Sequence, residues 1–268
     1  MPGAPTPGFC AFLDGTQESE LLGWRGGAPI VLGHVGAVIR LRADRRLVTW
    51  RRPRIERAIY APWSYTPKAP WRERLPEMSL VDTSFDDDGA PVVRHPAAFL
   101  ERASAAVQAA RERAELALAR EWCTAESRPL LVDGSISMEA VAHSTVAVGL
   151  IKSHRTLYVN ADAVPVVFAL RAGERTSVIR ITPRARPSVL SWYLRMREPA
   201  GGDPLWGLVR VEVSDEGRDP GPRADTVSRW VLAEARPLSL PDPRWDTLVY
   251  PVRSCEELLR GLRSHATH

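Results

Sequence analysis

The chain has 268 residues, 44% apolar and 25% charged, which is ordinary globular usage that supplies a real core and excludes global disorder. That length sits near the upper bound for a single core, and we read one domain over residues 1–268. A net charge of +4 is too mild to identify a nucleic-acid binder by itself, and no apolar run long enough to span a bilayer and no basic-then-apolar leader is present, so the expectation is a cytoplasmic protein with no membrane partner.

In chain order, residues 1–8 are rich in Pro and Gly and read as a loose start. The apolar run Phe9 to Leu13 stops at Asp14-Gly15, which reads as a buried strand with a turn behind it. Alternating apolar and β-branched residues predict two more strands, Ile30 to Arg42 and around Leu47 to Trp50, forming a meander with the first. Prolines, aromatics and Asp86-Asp87-Asp88-Gly89 mark about 53–96 as an irregular insertion. Ala97 to Trp122 lacks Gly and Pro and is rich in Ala, Glu, Arg and Leu, which predicts one long helix. A second buried strand follows, Pro129-Leu130-Leu131-Val132, running into Asp133-Gly134-Ser135. Beyond the apolar stretch ending at Ile151, strands are predicted near Thr176 to Ile181, Val189 to Met196 and Leu205 to Val213. A helix around Asp225 to Glu234, a strand at Thr247 to Tyr250 and a short helix from about Ser254 to Leu262 close the chain. Cys10, Cys123 and Cys255 are odd in number and far apart, so neither a disulfide framework nor a zinc site is expected.

Charge is unevenly distributed. Eight arginines lie from Arg40 to Arg57, opposed only by Asp44 and Glu56, with Trp50, Tyr60, Trp63, Tyr65 and Trp71 among or after them. Basic groups track phosphates and aromatic faces stack on bases, so Arg51, Arg52, Arg54 and Trp63 are candidate nucleic-acid contacts. A solvated strand face beside core tryptophans has the same composition.

Two strands that each end in an acid bring their carboxylates to one edge if they are parallel neighbours. A helical crossover between them is what parallel pairing requires. Asp14 and Asp133 would then share a divalent cation, and their oxygen donors favour Mn2+ or Mg2+. Asp-Gly after a strand is also a common turn dipeptide, so the pairing of two such motifs around a long helix carries the functional reading. Lys152 is one of two lysines against thirty-four arginines. If the apolar stretch before it lies beside Asp133, its ammonium stands near the acids and can contact a scissile phosphate. His154, at the same strand end, is a candidate phosphate contact or general acid, although a histidine there is usually structural. Phosphate-loop, GxGxxG and GxSxG motifs are absent, so ATPase, dinucleotide-binding and serine-hydrolase readings lack their defining parts.

The order strand-Asp, two strands, helix, strand-Asp resembles the ribonuclease H-like core, an α/β fold with a mixed five-stranded sheet flanked by helices. Phe12-Leu13-Asp14-Gly15-Thr16 and Leu130-Leu131-Val132-Asp133-Gly134-Ser135 are similar to the two acidic motifs of the NurA nucleases. Val148-Gly149-Leu150-Ile151-Lys152-Ser153 resembles that family's following strand and lysine. Ser191 to Arg195, Trp206 to Glu212 and Tyr250-Pro251 resemble its C-terminal half in order. The resemblance implies C-terminal elaborations on the core, manganese-dependent DNA exonuclease and endonuclease activity, a homodimer, and a HerA-type hexameric ATPase as partner. The family's late histidine has no counterpart in register; Glu256 and Glu257 stand there, Glu257 is the candidate fourth ligand, and the gap keeps open a non-catalytic DNA-binding or ATPase-docking subunit.

The remaining expected ligand is a glutamate of the long helix. A crossover helix runs antiparallel to the strand it feeds, and Asp133 stands roughly 13 Å up that strand at about 3.3 Å per residue. Climbing the same height from Thr124 at about 1.5 Å per residue takes roughly nine residues. That selects Glu115 over Glu101 and Glu121, with Glu112, one turn higher on nearly the same face, as the fallback.

Overall fold

A computed structural model of the chain describes residues 3–44, 46–154, 156–182, 186–199, 202–235 and 249–264. It begins with three long strands, β1 (Ala11–Arg25), β2 (Ala28–Ala43) and β3 (Arg46–Ala61). Helix α1 (Ala69–Arg74) and strand β4 (Ser79–Asp82) follow, then the long helix α2 (Pro96–Ala125). Next come β5 (Leu130–Asp133), α3 (Glu139–Ala142), β6 (Ala147–Ile151) and α4 (Val164–Phe168). Strands β7 (Ile179–Ile181), β8 (Val189–Arg195) and β9 (Leu208–Val213) precede helices α5 (Gly221–Glu234) and α6 (Tyr250–Ser264).

The strands form one mixed sheet in the order β4-β3-β2-β1-β5-β6-β9-β8-β7. The α/β class matches expectation, while among the described residues the sheet holds nine strands rather than five. At its two ends stand β4, parallel to β3, and the antiparallel ladder of β9, β8 and β7 beyond β6.

Three local readings are corrected. Asp14-Gly15 is not a turn: β1 continues to Arg25, and the reversal uses Gly26 and Gly27, both at positive φ (57° and 80°). Two successive residues of that kind suit the tight hairpin turn whose twist matches its strands. Residues 53–61, read as part of an irregular insertion, belong to β3. Pro53 is tolerated there because β4 pairs with β3 only from Ala58 to Ala61, leaving an edge at the proline. Tyr250 opens α6 instead of ending a strand, and Pro251 fits the first helical turn, where a missing N–H costs nothing; residues 247 and 248 lie outside the described residues.

Two compact units make up the chain. One comprises Met1–Asp14, Ile39–Trp50 and Leu116–Glu257, the other Gly15–Val38, Arg51–Glu115 and Leu258–His268. In the first, β8 and β9 bury nearly every side chain, and the Trp192 indole N–H bonds Ser228 Oγ of α5 at 2.9 Å. In the second, α2 lays Ala103, Ala106, Val107 and Ala110 against Val31, Val35, Ala58 and Tyr60. Small alanines let the helix approach closely, and Gly33 completes the fit.

A Cβ on Gly33 would stand 2.5 Å from Tyr60 Cε2 and 2.8 Å from Val107 Cγ2. Overpacking of this kind costs about 1–3 kcal/mol, so Gly33→Ala is expected to lower the urea midpoint accordingly. Gly261 of α6 has nothing within 4 Å of its Cβ position, and Gly261→Ala should leave stability unchanged or raise it by about 0.5–1 kcal/mol through helix propensity. Equal midpoints for the two variants would refute this packing.

Candidate functional site

The site starts from strand register. β1 and β5 pair in parallel with Ala11, Phe12 and Leu13 opposite Leu130, Leu131 and Val132. Asp14 and Asp133 are therefore next in line, level on adjacent strands and directed to the same face of the sheet. Neighbouring strands lie about 4.8 Å apart, which sets the spacing of the two backbone positions. Asp14 is buried, with 5% exposure. β6 pairs in parallel with β5, placing Asp133 opposite Leu150. One residue past the end of β6, the Lys152 ammonium donates to Asp133 Oδ2 at 2.8 Å, so Lys152 does emerge beside the acids.

Glu115 is the one buried member of the four helix glutamates, at 8% exposure. Its carboxylate lies against the backbone of Gly15, where a Cβ would come within 2.2 Å of Oε1. Arg111 donates to that oxygen and also to Gln17 Oε1 at 3.0 Å. Consecutive strand residues point to opposite faces, so Gly15 faces away from the side that Asp14 takes. Among the described residues, no group of three or more His, Cys, Asp or Glu side chains is arranged to hold a metal ion. The structure thus joins Asp133 and Lys152, with Asp14 on the adjacent strand, while Glu115 is engaged with Arg111.

The other expected contacts have local roles. Glu257 accepts from Arg253 Nε at 2.9 Å on the surface of α6. The His154 ring shares a hydrogen bond with Leu208 O at 3.0 Å and tilts against Tyr193; burial pushes its pKa below the ordinary histidine value, favouring the neutral form. Trp63 packs on the cluster of Ile30, Ile59 and Ala61, and Trp50 packs edge-on against Trp122. Arg51 and Arg52 are exposed on β3 and Arg54 is half-buried.

Two residues passed over in the sequence belong to this neighbourhood. Cys255 of α6 is fully buried, and its thiol lies 3.4 Å from Phe12 O. Burial pushes the thiol well above its ordinary pKa, and the charges of Asp14 and, less strongly, Asp133 act in the same direction. The helix turns Cys255 inward, while Glu257 lies on its exposed side. Glu212 of β9 is buried at 2% exposure. It accepts hydrogen bonds from Ser135 Oγ and the Ile136 amide at 2.7 and 3.0 Å. Its sequence signal is a pair of opposite charges two residues apart, Arg210 and Glu212, in an otherwise apolar strand.

The thiols should react in an order set by exposure and charge. With iodoacetamide at about pH 8, Cys10 and Cys123, both partly exposed, are expected to label in the native protein, and Cys255 only after unfolding in urea. Mass spectrometry of peptides reads the order, and native labelling of Cys255 at a rate matching Cys10 would refute its placement. No known family model matches the chain, and no curated protein matches it in sequence.

Proposed function

We propose that the protein is a divalent-metal-dependent deoxyribonuclease on a ribonuclease H-like core. The observation that carries this reading is the level placement of Asp14 and Asp133 on adjacent parallel strands. The central strand order β3-β2-β1-β5-β6, with α2 as the crossover into β5, supports the core assignment. Two carboxylates one strand spacing apart repel, and their hard oxygen donors suit Mg2+ or Mn2+. Such ions are commonly held by one or two carboxylates together with substrate phosphates, so Asp14 and Asp133 would hold the ion without a full protein cage. When bound, it supplies Lewis-acid polarisation of a phosphoryl oxygen and lowers the pKa of a water.

The chain's own groups do the rest. Lys152 compensates Asp133 in the free protein and, released from it, offers three N–H donors to the scissile phosphate. Arg51, Arg52 and Arg54 of β3 give the strand a basic track. Cleavage of DNA ends, a homodimer and a HerA-type hexameric ATPase partner rest on the resemblance to NurA. A second reading, a non-catalytic DNA-binding or ATPase-docking subunit, is favoured by one observation: Glu115 is already paired with Arg111.

Asp14→Asn and Asp133→Asn keep side-chain shape but remove the charge that would hold the cation. Each is expected to bring manganese-dependent cleavage of linear DNA to background, with unchanged circular dichroism. Wild-type cleavage in either variant would sink the shared acid pair, and a wild-type protein that binds DNA without cutting it would favour the docking subunit.

Binding should also weaken with salt. The triple variant Arg51→Ala, Arg52→Ala, Arg54→Ala is expected to flatten the logarithmic salt slope by roughly 0.7 to 0.9 for each phosphate the protein no longer neutralises. An unchanged slope, measured by fluorescence anisotropy, would show these arginines to be a solvated face.

A further inference from the structure

The turn that follows Asp133 is anchored by a side chain from a distant strand. Glu212 Oε2 accepts from Ser135 Oγ at 2.7 Å and from the Ile136 amide at 3.0 Å. Glu212 Oε1 accepts from Arg210 Nη1. Ser135 Oγ in turn lies 2.8 Å from Ser137 Oγ and accepts from the Ser137 amide at 3.1 Å. Beneath the turn, Gly149 of β6 stands opposite Val132 of β5 and Glu212 of β9. A Cβ on Gly149 would lie 2.7 Å from Gly134 O and 3.2 Å from the Ile136 nitrogen. The missing side chain opens the space, and the carboxylate draws the turn into it.

A buried ion pair is a weak source of stability, because desolvation offsets much of the Coulombic gain, and a well-packed apolar pair often serves stability as well or better. Arg210 and Glu212 therefore need a reason beyond filling β9, and the donors of the turn supply one. Asp133 is the residue immediately before the clamped segment, and the Gly134 amide donates to Leu150 O at 3.0 Å. The backbone is thus fixed on both sides of the point where the carboxylate leaves the strand.

We propose that Glu212 is a positioning residue: its carboxylate clamps the Gly134-Ser135-Ile136 turn and thereby holds Asp133 level with Asp14 and within reach of Lys152. The functional meaning of the clamp rests on the acid pair being the metal site.

The chain has only Lys68 and Lys152, so protein labelled with 13C-lysine gives two Cε–Hε cross-peaks. The peak that moves in Asp133→Asn reports the Lys152–Asp133 contact. Glu212→Met is expected to move that peak at least halfway to its Asp133→Asn position. Ser135→Ala, which leaves the Arg210–Glu212 pair intact, should move it a smaller distance in the same direction. Glu234→Met breaks another buried carboxylate–arginine pair, Arg42–Glu234, and should destabilise the fold without moving the peak. A Lys152 peak unmoved in Ser135→Ala and in folded Glu212→Met, or moved as far by Glu234→Met, would overturn the proposal. Calorimetric titration with Mn2+ adds the functional arm, with about tenfold weaker binding expected in Glu212→Met. If the wild type binds no Mn2+, the nuclease reading fails, while the lysine spectra still decide the clamp.

Discussion

The in-register parallel pairing of β1 with β5 is the constraint on which the site depends. Parallel neighbours cannot be joined by a tight turn, so the chain between them must cross over, and α2 supplies that crossover with thirty residues. Matching Leu13 with Val132 puts the two aspartates at one height. A slip of one residue would turn one of them to the opposite face. The reversal of β1 uses Gly26 and Gly27, at its far end rather than beside Asp14.

Around this register, buried and half-buried charge is managed by local compensation. Asp133 has Lys152, Glu115 has Arg111, Glu212 has Arg210 and Glu234 has Arg42. Each pair answers the large cost of taking an ion from water into the protein interior. Arg195, fully buried, is compensated chiefly by backbone: it donates to the carbonyls of Leu170, Trp206, Phe168 and Pro204. Its guanidinium holds two loops together, and burial lowers its pKa from the ordinary arginine value. The pairs at Asp133 and Glu115 differ in consequence, because they decide whether those carboxylates accept a cation from solution or keep the one the chain provides.

The aromatic content of the basic segment divides along the same physical lines. Trp50 and Trp63 spend their apolar surface in packing against Trp122 and the Ile30 cluster, while Arg51 and Arg52 are exposed on β3 beside Ile55. Composition could not separate these uses, since a tryptophan that stacks on a base and one that stacks on another tryptophan have the same neighbours in sequence.

Much of the architecture was legible in the chain alone. Apolar runs ending in Asp-Gly marked β1 and β5, and the Gly- and Pro-free Ala/Glu/Arg stretch marked α2. Rise-per-residue arithmetic chose Glu115 as the ligand completing the site; Glu115 is buried, but it pairs with Arg111. These are short-range signals, written as periodicity and composition. What the tertiary structure alone decided was partnership. Whether Asp14-Gly15 turns or continues depends on β2 lying alongside it. Whether Glu115 looks to Asp14 or to Arg111 depends on the pleat of β1. Cys255 and Glu212 entered the neighbourhood through α6 and β9, elements more than seventy residues beyond Asp133. Periodicity identifies the face a residue shows, but the identity of the group across from it is set by long-range pairing, which local sequence does not encode.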